Sequence, residues 1–330
     1  PVLPKSAYCI RIPPELFDAS VPLDHTALKN FRYTWLASLL FGTPPSHPTR
    51  HSRQQQFESL MAKQSTTPTP PGTELVLYRV EDGVAVISYN RPEQHNAVNA
   101  AMQHAYQEAW GQATTDLSVR AIVIRGEGRS FCSGKDTGEL GSRAPGVSDF
   151  AHVSGSLKRK FEMLDSQKPV IAAVRGHAIG GGCETALHAD IRVAGESAKF
   201  GLPEINYGIM TDGGGTCITA AIAGPSRAKY MVMTGELVDA ERAMQWGLID
   251  FLVPDDEVDA LALQIAKRIA AQPPVHVAAA KQLCDGVHGQ QIRQGMKNEL
   301  LAISLLYKTE DREEARAARR EGRTPTYSGL

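Results

Sequence analysis

The chain is poor in cysteine: its five, Cys9, Cys132, Cys183, Cys217 and Cys284, are scattered, odd in number and without CxxC or Cys/His ligand spacing. That pattern argues against a disulfide framework and a zinc site, and it points to a reducing compartment. Charge of neither sign is in excess, with 35 Lys and Arg against 36 Asp and Glu and a formal net charge of -1. No global field then draws the protein to nucleic acid or to an anionic membrane, so any bound anion must be captured locally. The longest apolar run near the start, residues 35–42, falls far short of the roughly 20 residues a spanning helix needs, so a soluble protein without a membrane partner is expected. The ten histidines form neither an HExxH motif nor a ligand-like cluster, and no metal is expected.

What is present changes character along the chain. Residues 1–72 carry stretches such as "GTPPSHPTRHSRQQQ" and "KQSTTPTPPGT", rich in Pro, Ser, Thr and Gln and without a sustained period of 2 or 3.6. They read as a low-complexity, disordered leader. Its composition is mixed in charge, so the expected location is the cytoplasm, with an organelle matrix as the alternative should the leader be a transit peptide. From Glu74 onward "LVLYRV" and "GVAVISYN" flank Glu81-Asp82-Gly83, which predicts a hairpin. A helical pattern follows at Val98, Met102, Tyr106, Ala109 and Ala113, then a buried strand in "VRAIVIRG". A second round contains "FEMLDSQ" as helix, "KPVIAAVRG" as buried strand, a glycine run opening a helix, and "DIRVAG" and "AKFGLPE" as short strands. This alternation predicts an α/β core with largely parallel strands over 73–255. From Gly213 nearly everything reads helical, and 256–330 is expected to cap or oligomerise the core.

Three consecutive glycines, Gly180, Gly181 and Gly182, precede residues that read as helix and include Glu184. A helix start leaves N–H groups unpaired and carries partial positive charge, and glycine lets a ligand oxygen approach those amides. A carbonyl oxygen that turns negative during reaction would be stabilised there, by about 2.7 to 4 kcal/mol per donor in acyl transfer. The turn in "RSFCSGKD" offers a second amide at Lys135. Taken singly, each glycine segment reads more readily as a tight turn.

The segments "NRPEQHNAVNAAM" (90–102), "FCSGKD" (131–136), "KPVIAAVRGHAIGGGCE" (168–184), "FGLPEINYGI" (200–209) and "MTGELVDAERAMQWGLIDFLVP" (233–254) together resemble, in order and spacing, the crotonase or enoyl-CoA hydratase/isomerase superfamily. The resemblance spans about residues 74–325 and does not extend to the leader. It implies a crotonase-like ββα spiral core with a C-terminal helical trimerisation region. It also implies trimers or dimers of trimers, acyl-CoA thioester substrates and no separate cofactor, coenzyme A being part of the substrate. Its paired oxyanion amides correspond to Lys135 and Gly181, and its CoA contacts to His95, Asn96 and Ala97, with Asp136 and Thr137 beside the first amide. Its two glutamates, which flank C2=C3 of the thioester in hydratases, correspond to Glu184 and Glu204, twenty residues apart.

Water addition to a conjugated thioester needs a base for the water, an acid for the adjacent carbon and a place for enolate charge. Glu184 is the expected base and Glu204 the expected acid, the alternative being that the two share both duties around one water. Opposite roles need one protonated while the other is ionised, which close carboxylates favour because they resist joint ionisation. A departure from the resemblance lies at Thr211-Asp212, where family hydratases usually have Pro-Gly. Asp212, eight residues beyond Glu204, is either an additional acid, as in dienoyl-CoA isomerases, or the cap of a helix beginning near Gly213. A 2-enoyl-CoA hydratase is therefore the leading expectation. The alternatives are an enoyl or dienoyl isomerase using Glu204 and Asp212, a thioester hydrolase or C–C lyase, and a non-catalytic assembly or RNA-binding member. His177, His188 and Cys183 near the site read as packing residues. The C-terminal "DREEARAARREGR" reads as a solvated helix. Acyl-chain selection is assigned to residues 140–155, "LGSRAPGVSDFAHVSG", and to the C-terminal helices.

Overall fold

A computed structural model describes residues 74–139 and 161–330. The leader and the segment 140–155 lie outside the described residues. Strands β1 (Val76–Glu81) and β2 (Val84–Tyr89) form the expected hairpin, Val76 opposite Tyr89 and Glu81 opposite Val84. Asp82 and Gly83 make its turn at positive φ, 48° and 76°, the backbone that Asp-Gly supplies at least cost in a two-residue hairpin. From β2 the sheet continues in parallel through β3 (Ala121–Gly126), β4 (Val170–Val174), β6 (Ile191–Gly195) and β9 (Phe251–Val253). A smaller sheet joins β5 (His177–Ile179), β7 (Lys199–Gly201) and β8 (Val238–Asp239).

The two sheets grow together. After β4 the chain gives β5 to the small sheet and then α2 (Gly181–His188). After β6 it gives β7, a 3-10 turn at Pro203–Tyr207 and α3 (Gly215–Ala223). Each strand, strand, helix unit thus adds one strand to each sheet, which is the turn of the ββα spiral.

Both faces of the larger sheet are covered, which explains why β2 and β4 are buried along their whole length and read as continuous apolar runs. On one face Ile87, Ile122 and Ile124 share a core with Met102, Tyr106, Ala109, Trp110 and Ala113 of α1 (Ala100–Thr115). Asn99 caps that helix by accepting from the Met102 N–H at 2.9 Å. On the other face Val84, Val86, Val123 and Ile171 meet Val258, Ala262, Ala266 and Ala270, a stripe at every fourth residue of α6 (Val258–Ala270).

The C-terminal third, expected to be nearly all helical, also contributes strands. Around α4 (Pro225–Thr234) and α5 (Ala240–Trp246) it contributes β8 and β9, only two and three residues long, and β9 extends the main sheet. Strands that short carry no legible period. Beyond α6 come α7 (Pro274–Asp285), α8 (Gly289–Leu306) and α9 (Glu310–Glu321). Met102 is fully buried between α1 and the sheet. Met102→Ala should cost about 2–5 kcal/mol of stability in denaturant unfolding, and a loss below about 0.5 kcal/mol would contradict this packing.

Candidate active site

Two distant turns are sewn together by main-chain bonds. Cys132 N–H donates to His177 O at 2.8 Å and Ile179 N–H donates to Cys132 O at 3.0 Å, a parallel bridge from Cys132 to Ala178. Two residues on, Gly134 stands at φ +90°, and a Cβ there would meet Ile179 O at 2.7 Å and Gly181 N at 3.4 Å. Only glycine fits such an approach. On the opposite side Val98 N–H donates to Gly134 O at 2.8 Å, and Asp136 N–H donates to Val98 O at 2.9 Å. That ladder turns the intervening Lys135 N–H away from Val98. Gly181 is the first residue of α2, with Gly180 as its N-cap, so its N–H belongs to the unpaired first turn. The amides of Lys135 and Gly181 thus sit on adjoining turns, and among the described residues neither donates a main-chain hydrogen bond.

The loop before α1 is braced from within. Asn96 Oδ1 accepts from Arg91 N–H at 2.8 Å, and its Nδ2 donates to Glu127 O at 2.9 Å and Ser130 O at 2.6 Å. Buried Arg91 pairs with Asp136 at 3.0 Å and donates to Ala97 O at 2.6 Å. These contacts hold His95 and Asn96 in the left-handed region, at φ 50° and 58°. The side chains of His95, Asn96 and Asp136 therefore face the protein interior, and Ala97 is fully buried. These side chains are thus engaged within the protein, and half-buried Thr137 opens the next 3-10 turn.

Glu184 lies on the first turn of α2 and is 7% exposed. Its Oε1 accepts from the Thr211 hydroxyl and from Gly213 N–H, the latter at 2.6 Å. A Cβ on Gly213 would lie 2.1 Å from Glu184 Oε2, so the carboxylate occupies the space a side chain would need. Glu204 follows Pro203 in the 3-10 turn after β7, and its Oε1 stands 3.0 Å from where a Cβ of Gly180 would be. Both acids surround Cys183: burial pushes that thiol well above its usual range, and the nearby charges of Glu204 and Glu184 push it further. A thiol so held stays protonated and packs, as expected of it. Glu184, Glu204 and the Gly181 amide therefore converge on one region.

Two further residues complete this region, Thr211 and Glu299, neither of which has a role legible in the sequence pattern. Thr211 is the side-chain donor on Glu184, beside the Gly213 N–H. Helix α3 begins at Gly215 with Gly214 as its N-cap and no side-chain cap, so the reading of Asp212 as its cap is corrected. Glu299 of α8 does that work instead, accepting from Gly214 N–H at 2.7 Å, Thr216 N–H at 2.8 Å and the Thr216 hydroxyl. Its signal is a carboxylate inside an apolar stripe, with Met296, Leu300 and Ile303 as the other buried residues of α8.

A chain of polar side chains runs beneath the braced loop. Arg129, a pure donor, reaches His95 Nε2 at 2.9 Å, which leaves Nδ1–H to donate to Ser130 Oγ at 2.8 Å. The Ser130 hydroxyl then donates to His177 Nδ1 at 3.2 Å. Burial, with His95, Lys199 and Arg129 adding to it, lowers the His177 pKa to about 4. Among the described residues no group of three His, Cys, Asp or Glu is placed to hold a metal ion, and no helix is long and apolar enough to cross a membrane.

The enoyl-CoA hydratase/isomerase family model matches residues 79–329, and the chain belongs to that family. It is 37% identical over 259 residues to the 2,3-dehydroadipyl-CoA hydratase of Escherichia coli K12, covering 78% of this chain and 99% of that one. It is 31% identical over 261 residues to the 1,2-epoxyphenylacetyl-CoA isomerase of the same organism, covering 78% and 99%. Among solved structures, a carnitinyl-CoA dehydratase from Mycobacterium avium superposes with TM-score 0.67 at 33% identity, covering 78% of this chain and all of that one. The fold is the crotonase fold and the chain is an enzyme of that superfamily.

His177 gives a pH prediction. The unfolded chain takes up its proton near 6.5 and the folded chain only near 4, so the unfolded state binds more protons between these values. Stability should fall as the pH drops through that window, and His177→Gln should flatten this part of the melting temperature against pH. An unchanged slope would contradict the assignment.

Proposed function

We propose that this enzyme is a 2-enoyl-CoA hydratase, adding water across C2=C3 of an acyl-CoA thioester. The observation that carries the reading is the convergence of Glu184 and Glu204 around Cys183, beside the Gly181 amide. In this reading the thioester oxygen lies between the amides of Lys135 and Gly181. Glu184 takes a proton from water as the water oxygen bonds to C3. The C2=C3 electron pair moves toward the carbonyl, whose negative charge the two amides stabilise. The carbonyl then re-forms as C2 takes the proton of Glu204, and the proton on Glu184 passes to Glu204, directly or by exchange through solvent, closing the cycle. Main chain at 95–97 and 136–137 lines the CoA path.

Glu184→Gln and Glu204→Gln should each lower kcat on crotonyl-CoA by about 10²–10⁴-fold, with KM changed by only a few-fold. Near-normal turnover in either variant removes that role. The isomerase reading, supported by Asp212 and by the name of one relative, makes a different product. Hydration in ¹⁸O-labelled water should place the label on C3; a shifted double bond without label would favour isomerisation.

We also propose self-association as a trimer or dimer of trimers, supported by exposed Val275 and Leu283 on α7, Val287 just after it, and Leu301 and Leu305 on α8. Light scattering should then give three or six times the 35.7 kDa chain mass, and a monomer would contradict it.

A further inference from the structure

One turn, residues 211–216, is gripped by two buried carboxylates from different helices. Glu184 of α2 holds the Thr211 hydroxyl and Gly213 N–H, while Glu299 of α8 holds Gly214 N–H and both donors of Thr216. Thr211 is 1% exposed, and its seat is specific: a Cβ at Gly215 would fall 2.1 Å from Thr211 Oγ1. His188 fixes the same turn through Gly213 O at 2.7 Å. The titratable groups facing Glu184 are Glu299 and Cys217 across the turn and Cys183 on its other side, with Glu204 beyond Cys183, His188 on the Gly213 carbonyl and Asp212 next to Thr211 in the chain. Glu299 is raised by its burial and further by Glu184, so the surroundings of Glu184 oppose its ionisation as well as supporting it.

We propose that Thr211 is a positioning residue for Glu184, its hydroxyl holding that carboxylate ionised and in one rotamer, and so selecting Glu184 rather than Glu204 as the base. A hydrogen bond donated to the charged form favours that form, and this donor is buried, where no water replaces it. Gly213 N–H supports the same oxygen but is fixed by the backbone; Thr211 contributes the donor a single substitution removes. The assignment rests on the hydratase reading.

The test compares Thr211→Val, Thr211→Ala and Thr211→Ser in the full chain, with Glu184→Gln beside them, in crotonyl-CoA hydration against pH. Thr211→Val and Thr211→Ala should lower kcat about tenfold, leave KM within about twofold and move the acid limb of kcat/KM up by about one pH unit, while Thr211→Ser restores all three. An unmoved acid limb in the hydroxyl-less variants, or a Thr211→Ser variant as impaired as they are, overturns the proposal. So does collapse of both hydroxyl-less variants in thermal unfolding, which would make the hydroxyl a folding element. A fully active Glu184→Gln would sink the hydratase reading instead, whatever Thr211 does.

Discussion

The site depends on a seam of main-chain hydrogen bonds between Cys132 and β5. Residues about fifty apart in sequence become neighbours through it, and Gly134 can then press against Ile179 and Gly181. Because backbone bonds set this spacing, the amides of Lys135 and Gly181 are fixed before any ligand arrives. Preorganised donors of this kind cost no reorganisation when charge develops. The Arg91, Asn96 and Asp136 brace extends the same logic to the neighbouring loop, spending polar side chains on holding the backbone.

Buried carboxylates set the second constraint. Desolvation disfavours their charge, so each must be met by donors or give up its ionisation. Glu184 and Glu299 meet this need with the same short turn, which ties α2, α3 and α8 into one unit. The C-terminal helix α8 is thus structurally continuous with the reacting region, although it belongs to the part of the chain expected to cap or assemble the core. Glu204 stands on a separate element, the 3-10 turn Pro203–Tyr207.

Much of this was legible in sequence because the signals were local. The Asp-Gly hairpin, the apolar stripe of α1, the buried runs of β3 and β4 and the glycines at the start of α2 each carry their own turn or period. The quoted segments pointed to the family and to Glu184, Glu204, Lys135 and Gly181, which the fold brings into one neighbourhood. What stayed hidden depends on tertiary contact. Strands β8 and β9 are too short to show a period, and they form because the sheets beside them offer unpaired edges. Thr211 looked unremarkable beside a charged neighbour, since a hydroxyl acquires meaning only from the group it touches. The inward faces of His95 and Asp136 likewise follow from Arg129 and Arg91, which lie elsewhere in the chain.

The most direct test of the account is a crystal structure of the full chain with a bound acetoacetyl-CoA, a stable analogue of the thioester. Its thioester oxygen should lie about 2.7–3.1 Å from both Lys135 N and Gly181 N, with C2 and C3 between the carboxyl groups of Glu184 and Glu204. A thioester oxygen held by other donors, or reacting carbons remote from either glutamate, would contradict it.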